Sequence, residues 1–160
     1  MGSNPTVGTS INTNMIYIPK SLDDPLFAFI KDDPVRPEIP LEFRLGMRSE
    51  VMFLVDTESK EPLAVLCIAF SDGVPTSLEE LFVSPVNPDT AIFYTIWSYK
   101  PGAGTELVMN AVSAIQEQFE NIKRFVTLSP KSEMAKKFHL KNGASIFREN
   151  EDTVNYEYLI

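Results

Sequence analysis

Residues 63–70 (LAVLCIAF) form an unbroken apolar run. A strand that is apolar at every position has no wet face, so it belongs inside a sheet covered on both sides. The run is far shorter than the roughly 20 residues a membrane helix needs. A polar turn at 57–62 separates it from a second apolar stretch at 51–56, and the two read as a hairpin with a longer loop. The only cysteine, Cys67, lies within the run. It has no partner for an internal disulfide and is expected as a buried thiol rather than a nucleophile. With one Cys and one His, no Cys/His metal site is expected.

The remaining elements follow from periodicity and punctuation. Residues 1–14 are rich in Gly, Ser, Thr, Asn and Pro and are expected to be loose, leaving 15–160 as one domain. Met1-Gly2 with Thr6 fits the N-myristoylation pattern. No basic cluster or second lipid site follows, so no lipid anchor is expected. Residues 15–18 read as a strand. Asp24 and Pro25 open a short helix through Ile30, and 33–40, with three prolines, is a connector. Thr76-Ser77-Leu78-Glu79 is a capping box for a helix reaching Phe82. Residues 90–97 form a third strand. Leu107, Val108, Ala111, Val112, Ile115 and Phe119 recur at helical spacing. A strand at 124–128 precedes a helix capped by Ser132, with Ala135, Phe138 and Met134 as its core residues and Gly143 at its left-handed end. A hairpin of 145–148 and 153–159 closes the chain, with Val154, Tyr156 and Tyr158 on one face. The order predicts an α+β (mixed α/β) fold around a single sheet.

Charge is distributed unevenly. The net charge is −8, yet residues 100–148 carry 8 Lys+Arg against 4 Asp+Glu, while residues 1–99 carry 6 against 14. An acidic chain is a poor nucleic-acid partner, because phosphate neutralisation dominates that affinity. A basic segment on an acidic body suits a small polyanion such as a nucleotide or coenzyme. No charged-then-apolar leader is visible, so a cytoplasmic protein without membrane association is expected.

Candidate chemistry gathers in the same half. Lys100-Pro101-Gly102-Ala103-Gly104-Thr105 joins a strand to a helix. Glycines admit a close ligand, and a helix N-terminus offers free N–H groups to phosphate. The loop is neither a Walker loop nor a dinucleotide fingerprint, since Leu107 takes the third glycine position. His139, the only histidine, is the best proton-handling group, although a helix residue satisfied by a neighbour is the simpler reading. Ser129 precedes Pro130, which ends the strand and puts the hydroxyl at the sheet's edge. Tyr156 and Tyr158 read as core or site.

Several of these segments resemble one family. TLSP at 127–130, FHLKNGA at 138–144 and VNYEY at 154–158, in that order, look like the catalytic domain of malonyl-CoA decarboxylase. The likeness covers residues 50–160, and that domain has the GNAT acetyltransferase fold. It implies a central, mostly antiparallel sheet with a splayed parallel pair, and an acyl-CoA ligand (malonyl-CoA or acetyl-CoA) with no prosthetic group. It further implies that Ser129, His139 and Tyr156 act at the acyl group. Lys100, Gly102, Ala103, Gly104, Thr105 and Glu106 would receive the CoA diphosphate. Three activities stay open on this fold: decarboxylation, acyl transfer to an amine with Tyr156 or Tyr158 near the thiol, and CoA binding without catalysis. A homodimer through an exposed edge at 153–159 is a further expectation.

Overall fold

A computed structural model describes residues 14–160. The expectations for residues 1–13, including the Met1-Gly2-Thr6 pattern, lie outside the described residues. Asn14 begins strand β1, Asn14–Tyr17. The short helix expected through Ile30 is a 3-10 helix, Pro25–Asp32; Asp24 caps it by accepting from the Leu26 amide. Helix α1 (Leu41–Arg44) precedes strands β2 (Ser49–Asp56) and β3 (Pro62–Ser71), helix α2 (Leu78–Leu81) and strand β4 (Thr90–Ser98). Helix α3 (Ala103–Gln118) leads to β5 (Arg124–Thr127) and β6 (Ser129–Pro130). Helix α4 (Glu133–Lys141) and strands β7 (Ala144–Glu149) and β8 (Thr153–Tyr158) complete the chain.

Among the described residues, eight strands join one sheet in the order β1-β2-β3-β4-β5-β8-β6, with β7 on the free side of β8. Of these pairings, β4 with β5 alone is parallel. The run at 63–70 lies in β3, central as its pattern demands, with Cys67 fully buried. One face packs Leu66, Ile68 and Phe93 against Leu107, Val108, Ala111 and Ile115 of α3. The other packs Phe53, Val65, Cys67 and Tyr94 beneath Phe27, Ile30 and Ile39 of the N-terminal segment.

The parallel pair opens partway along its length. Its pairing runs from Thr90↔Arg124 to Phe93↔Thr127, and a last bond joins the Leu128 amide to the Phe93 carbonyl at 3.1 Å. Beyond it, residues 95–98 keep partners only in β3, while Ser129 and Pro130 pair with β8. The β3–β4 register shifts beside Cys67, leaving Tyr94 as the extra residue, and such a bulge bends the strand.

Three expectations are corrected. The strand at 153–158 is not an edge: β7 pairs with it on one side and β5 and β6 on the other, so β7 is the edge. Both faces of β8 are buried; Asn155 is fully covered, and its side-chain amide donates to the carbonyls of Pro75 and Thr127. Met134 is 82% exposed and takes no part in the core, because it stands at the open rim of the cavity between the parted strands. The capping box is shifted by one residue: Ser77 caps the Glu80 amide, and the Glu80 carboxylate accepts from the Thr76 amide. Among the described residues, no helix is long and apolar enough to cross a membrane.

Candidate functional site

The gap between β4 and the β5–β6 junction holds a cavity of about 340 Å³. Residues 93–98 form one lip and Ser129 and Pro130 the other. Gly104, Phe138 and His139 border it from the α3–α4 face, and Pro34 and Val35 from the opposite face. The space therefore passes through the sheet. Its lining is chiefly apolar and contains no Lys, Arg, Asp or Glu.

Ser129 and His139 thus meet at one cavity, although nine residues of chain lie between them. Both are buried. The Ser129 hydroxyl donates to Thr127 Oγ1 at 2.8 Å, and the same Thr127 oxygen accepts from the Tyr156 amide. His139 Nδ1 lies 2.7 Å from the Tyr158 hydroxyl, and the ring stacks on Tyr156 at a centroid distance of 5.2 Å. Burial pushes the imidazole down to about 4, so it is neutral at pH 7. Burial also raises the Tyr158 phenol well above its ordinary value, which keeps its proton in place. The contact fits either neutral tautomer: where Tyr158 donates to Nδ1 the ring proton is on Nε2, and where Nδ1–H donates to the Tyr158 oxygen Nε2 is bare.

Tyr156 does not line the cavity. It is 2% exposed, sits behind His139 and supplies a stacking surface.

The glycine loop places its residues at the start of α3. Gly102 is the N-cap in the left-handed region, at φ +83°, a conformation that only glycine adopts without cost. The amides of Ala103 and Glu106 bond the carbonyls of Lys100 and Gly102. Those of Gly102, Gly104 and Thr105 have no acceptor among the described residues. Lys100 and Gly102 are exposed. The Ser59 and Glu58 amides hold the Asp56 carboxyl below its usual range, with a smaller contribution from the positive charge of Lys100. The Glu106 carboxylate accepts from Asn14 Nδ2 at 3.1 Å, which turns it toward β1. A Cβ on Gly104 would lie 3.2 Å from the Phe138 ring, so glycine there lets α4 close onto the first turn of α3.

Sequence reasoning missed the far side of the cavity. Residues 33–36, read only as part of a connector, form a strap across it. Asp33 is buried; one carboxylate oxygen pairs with Arg44 at 2.7 Å and the other accepts from Thr95 Oγ1 and from the Val35 and Arg36 amides. Proline spacing marks a connector and carries no signal for what the connector covers. Tyr158 was singled out on the face of Tyr156, but its bond to His139 could not be read from spacing.

No protein-family model and no curated protein matches the chain. Solved structures do. A malonyl-CoA decarboxylase from Cupriavidus metallidurans aligns over 93% of this chain and 62% of its own, with a TM-score of 0.70 and 16% identity. The decarboxylase from Agrobacterium vitis aligns over 80% of this chain and 36% of its own, with a TM-score of 0.64 and 20% identity. The chain thus spans less than two thirds of either enzyme. A Bacillus subtilis acetyltransferase solved in complex with CoA aligns over 92% of this chain and 99% of its own, with a TM-score of 0.64 and 13% identity. At such identities the likeness establishes architecture, and the sheet, its parted parallel strands and the flanking helices are those of the fold that malonyl-CoA decarboxylases share with GNAT acetyltransferases.

Proposed function

We propose that the chain binds an acyl-CoA thioester and removes CO2 from a malonyl-type acyl group. One observation carries this reading: a single cavity reaches from Gly104, in the first turn of α3, to the Ser129 hydroxyl and the His139 imidazole. The amides of Gly102, Gly104 and Thr105, without an acceptor among the described residues and at the positive end of the α3 dipole, would receive the diphosphate. Lys100 adds a charge beside them. The thin apolar gap suits a pantetheine arm, and at about 340 Å³ it is near the lower end of the ligand-site range of roughly 300–1,000 Å³. The fold shared with a CoA-bound acetyltransferase supports the ligand class.

The chemistry follows from the protonation state of His139. In decarboxylation the bond between the α-carbon and the carboxylate breaks, CO2 leaves, and its electron pair enters the thioester as an enolate. The oxygen that gains charge needs a hydrogen-bond donor. A neutral imidazole in the tautomer that Tyr158 selects by donating to Nδ1, with its proton on Nε2, is one, and Ser129 becomes a second if its hydroxyl rotates off Thr127. A proton delivered to the α-carbon then completes the acetyl thioester. An uncharged apolar cavity also favours departure of the carboxylate as neutral CO2. Acyl transfer to an amine asks instead for a base near neutrality, and an imidazole at about 4 is a weak one. Neither Tyr156 nor Tyr158 borders the cavity to protonate a leaving thiolate. Tyr156 acts in this reading by holding the imidazole plane.

The test is malonyl-CoA turnover by the purified chain, followed as acetyl-CoA and CO2. Ser129→Ala and His139→Asn should each lower kcat by about 10²–10³, as loss of a charge-stabilising donor does. Equal rates in all three proteins would contradict the proposal. Release of CoA from acetyl-CoA only when an amine is present would replace decarboxylation with acyl transfer. Stabilisation by CoA without either turnover would leave a binding module.

A further inference from the structure

The cavity passes through the sheet, and its far opening is spanned by residues 33–36. That strap is tied to both lips. Asp33 accepts from Thr95 Oγ1, on β4, at 2.8 Å. Arg36 Nη2 donates to the Leu128 carbonyl, between β5 and Ser129, at 3.0 Å. The strap is anchored from beneath as well: Arg44, fully buried, pairs with Asp33 and donates to the carbonyls of Arg36 and Ile39. Between the two ties, Pro34 and Val35 face the cavity. Proline fixes one backbone angle, and Asp33 pins the next two amides, so the wall has little freedom to withdraw.

A ligand whose diphosphate rests at the start of α3 enters from the opposite face. Its tip points across the sheet at this wall. We propose that the strap is the back wall of the acyl site, and that Val35 sets the length of the acyl group admitted. The substrate class is then a short acyl-CoA, with two- and three-carbon groups accepted and longer aliphatic chains refused. The inference rests on the acyl-CoA reading above. It adds a selectivity that neither Ser129 nor His139 would confer, because both flank the reacting end rather than close it.

The experiment is calorimetric titration of the full chain with CoA, acetyl-CoA, butyryl-CoA and hexanoyl-CoA, repeated on Val35→Ala and Val35→Phe. Cooperative unfolding of each ligand-free variant confirms that it is folded. The unaltered chain should bind acetyl-CoA at least about tenfold more tightly than hexanoyl-CoA, and Val35→Ala should shrink that ratio about tenfold, the scale set by a methylene-sized change in an apolar pocket. Val35→Phe should lose affinity for acetyl-CoA relative to CoA. If CoA binds the unaltered chain and both folded variants keep its ranking of the acyl series, the wall assignment is overturned while the acyl-CoA reading stands. If CoA itself does not bind the unaltered chain, the acyl-CoA reading fails and the wall inference falls with it.

Discussion

Acidification should destabilise this protein through His139 in a calculable way. In the folded chain burial holds the imidazole at about 4; an exposed histidine titrates near 6.5. Above about pH 6.5 both states carry a neutral ring and the group contributes no pH dependence. Between the two values the unfolded chain takes up a proton that the folded chain refuses, so stability falls as pH falls, and the loss levels off below about pH 4. With one pKa unit equivalent to about 1.4 kcal/mol, the linkage gives a loss of about 1.4 kcal/mol at pH 5.5 and about 2.5 kcal/mol at pH 4.5. Glu50 opposes part of this, because burial raises its carboxyl and favours the protonated folded form as pH falls. The assay is therefore a difference: urea unfolding of the unaltered chain and of His139→Gln across that pH range. The gap between the two stabilities should change by about 2.5 kcal/mol between pH 7.5 and pH 4.5, with the unaltered chain losing more. Parallel curves would refute the claim that a neutral imidazole is buried against Tyr156 and Tyr158.

Other perturbations have expected sizes. Arg44→Met strands the Asp33 carboxylate in the core and should cost about 3–5 kcal/mol in chemical unfolding. Gly102→Ala meets no neighbouring atom, so its cost of about 1–2 kcal/mol comes from the left-handed backbone alone. Ser132→Ala removes the cap of α4 from the Ala135 amide and should cost about 1 kcal/mol by the same measurement. Tyr158→Phe leaves Nδ1 of His139 without its partner; a loss of about 1–3 kcal/mol is expected, and no loss would mean that the bond is not made.

Much of the architecture could be read from the chain because local and global signals agree. The run at 63–70 needed cover on both sides and found it in β3. The glycines ahead of Leu107 marked a strand-to-helix turn, and Gly102 adopts the conformation that glycine allows there. Ser132 and Gly143 fixed the ends of α4. What escaped notice depends on distant partners. β6 is two residues long, and its pairing with Val154 and Thr153 has no sequence period. The edge expected at 153–159 had no local signal against it, because the partners that cover this strand on both sides, and the distant carbonyls that satisfy the buried Asn155, are brought there only by folding. At the candidate site, residue type and position singled out Ser129, His139 and the glycine turn, of which Ser129, His139 and Gly104 border one cavity. The opposite wall could not, since Asp33, Arg44 and Thr95 are ordinary surface residue types until folding buries them together.

A CoA titration of the isotope-labelled chain, read by amide resonances, tests the proposed ligand site most directly. The largest shifts should fall on the Gly102, Gly104 and Thr105 amides, with His139 and Ser129 responding when acetyl-CoA replaces CoA. Saturating CoA that leaves those amides unmoved, or that shifts only residues away from the parted strands, would contradict the assignment.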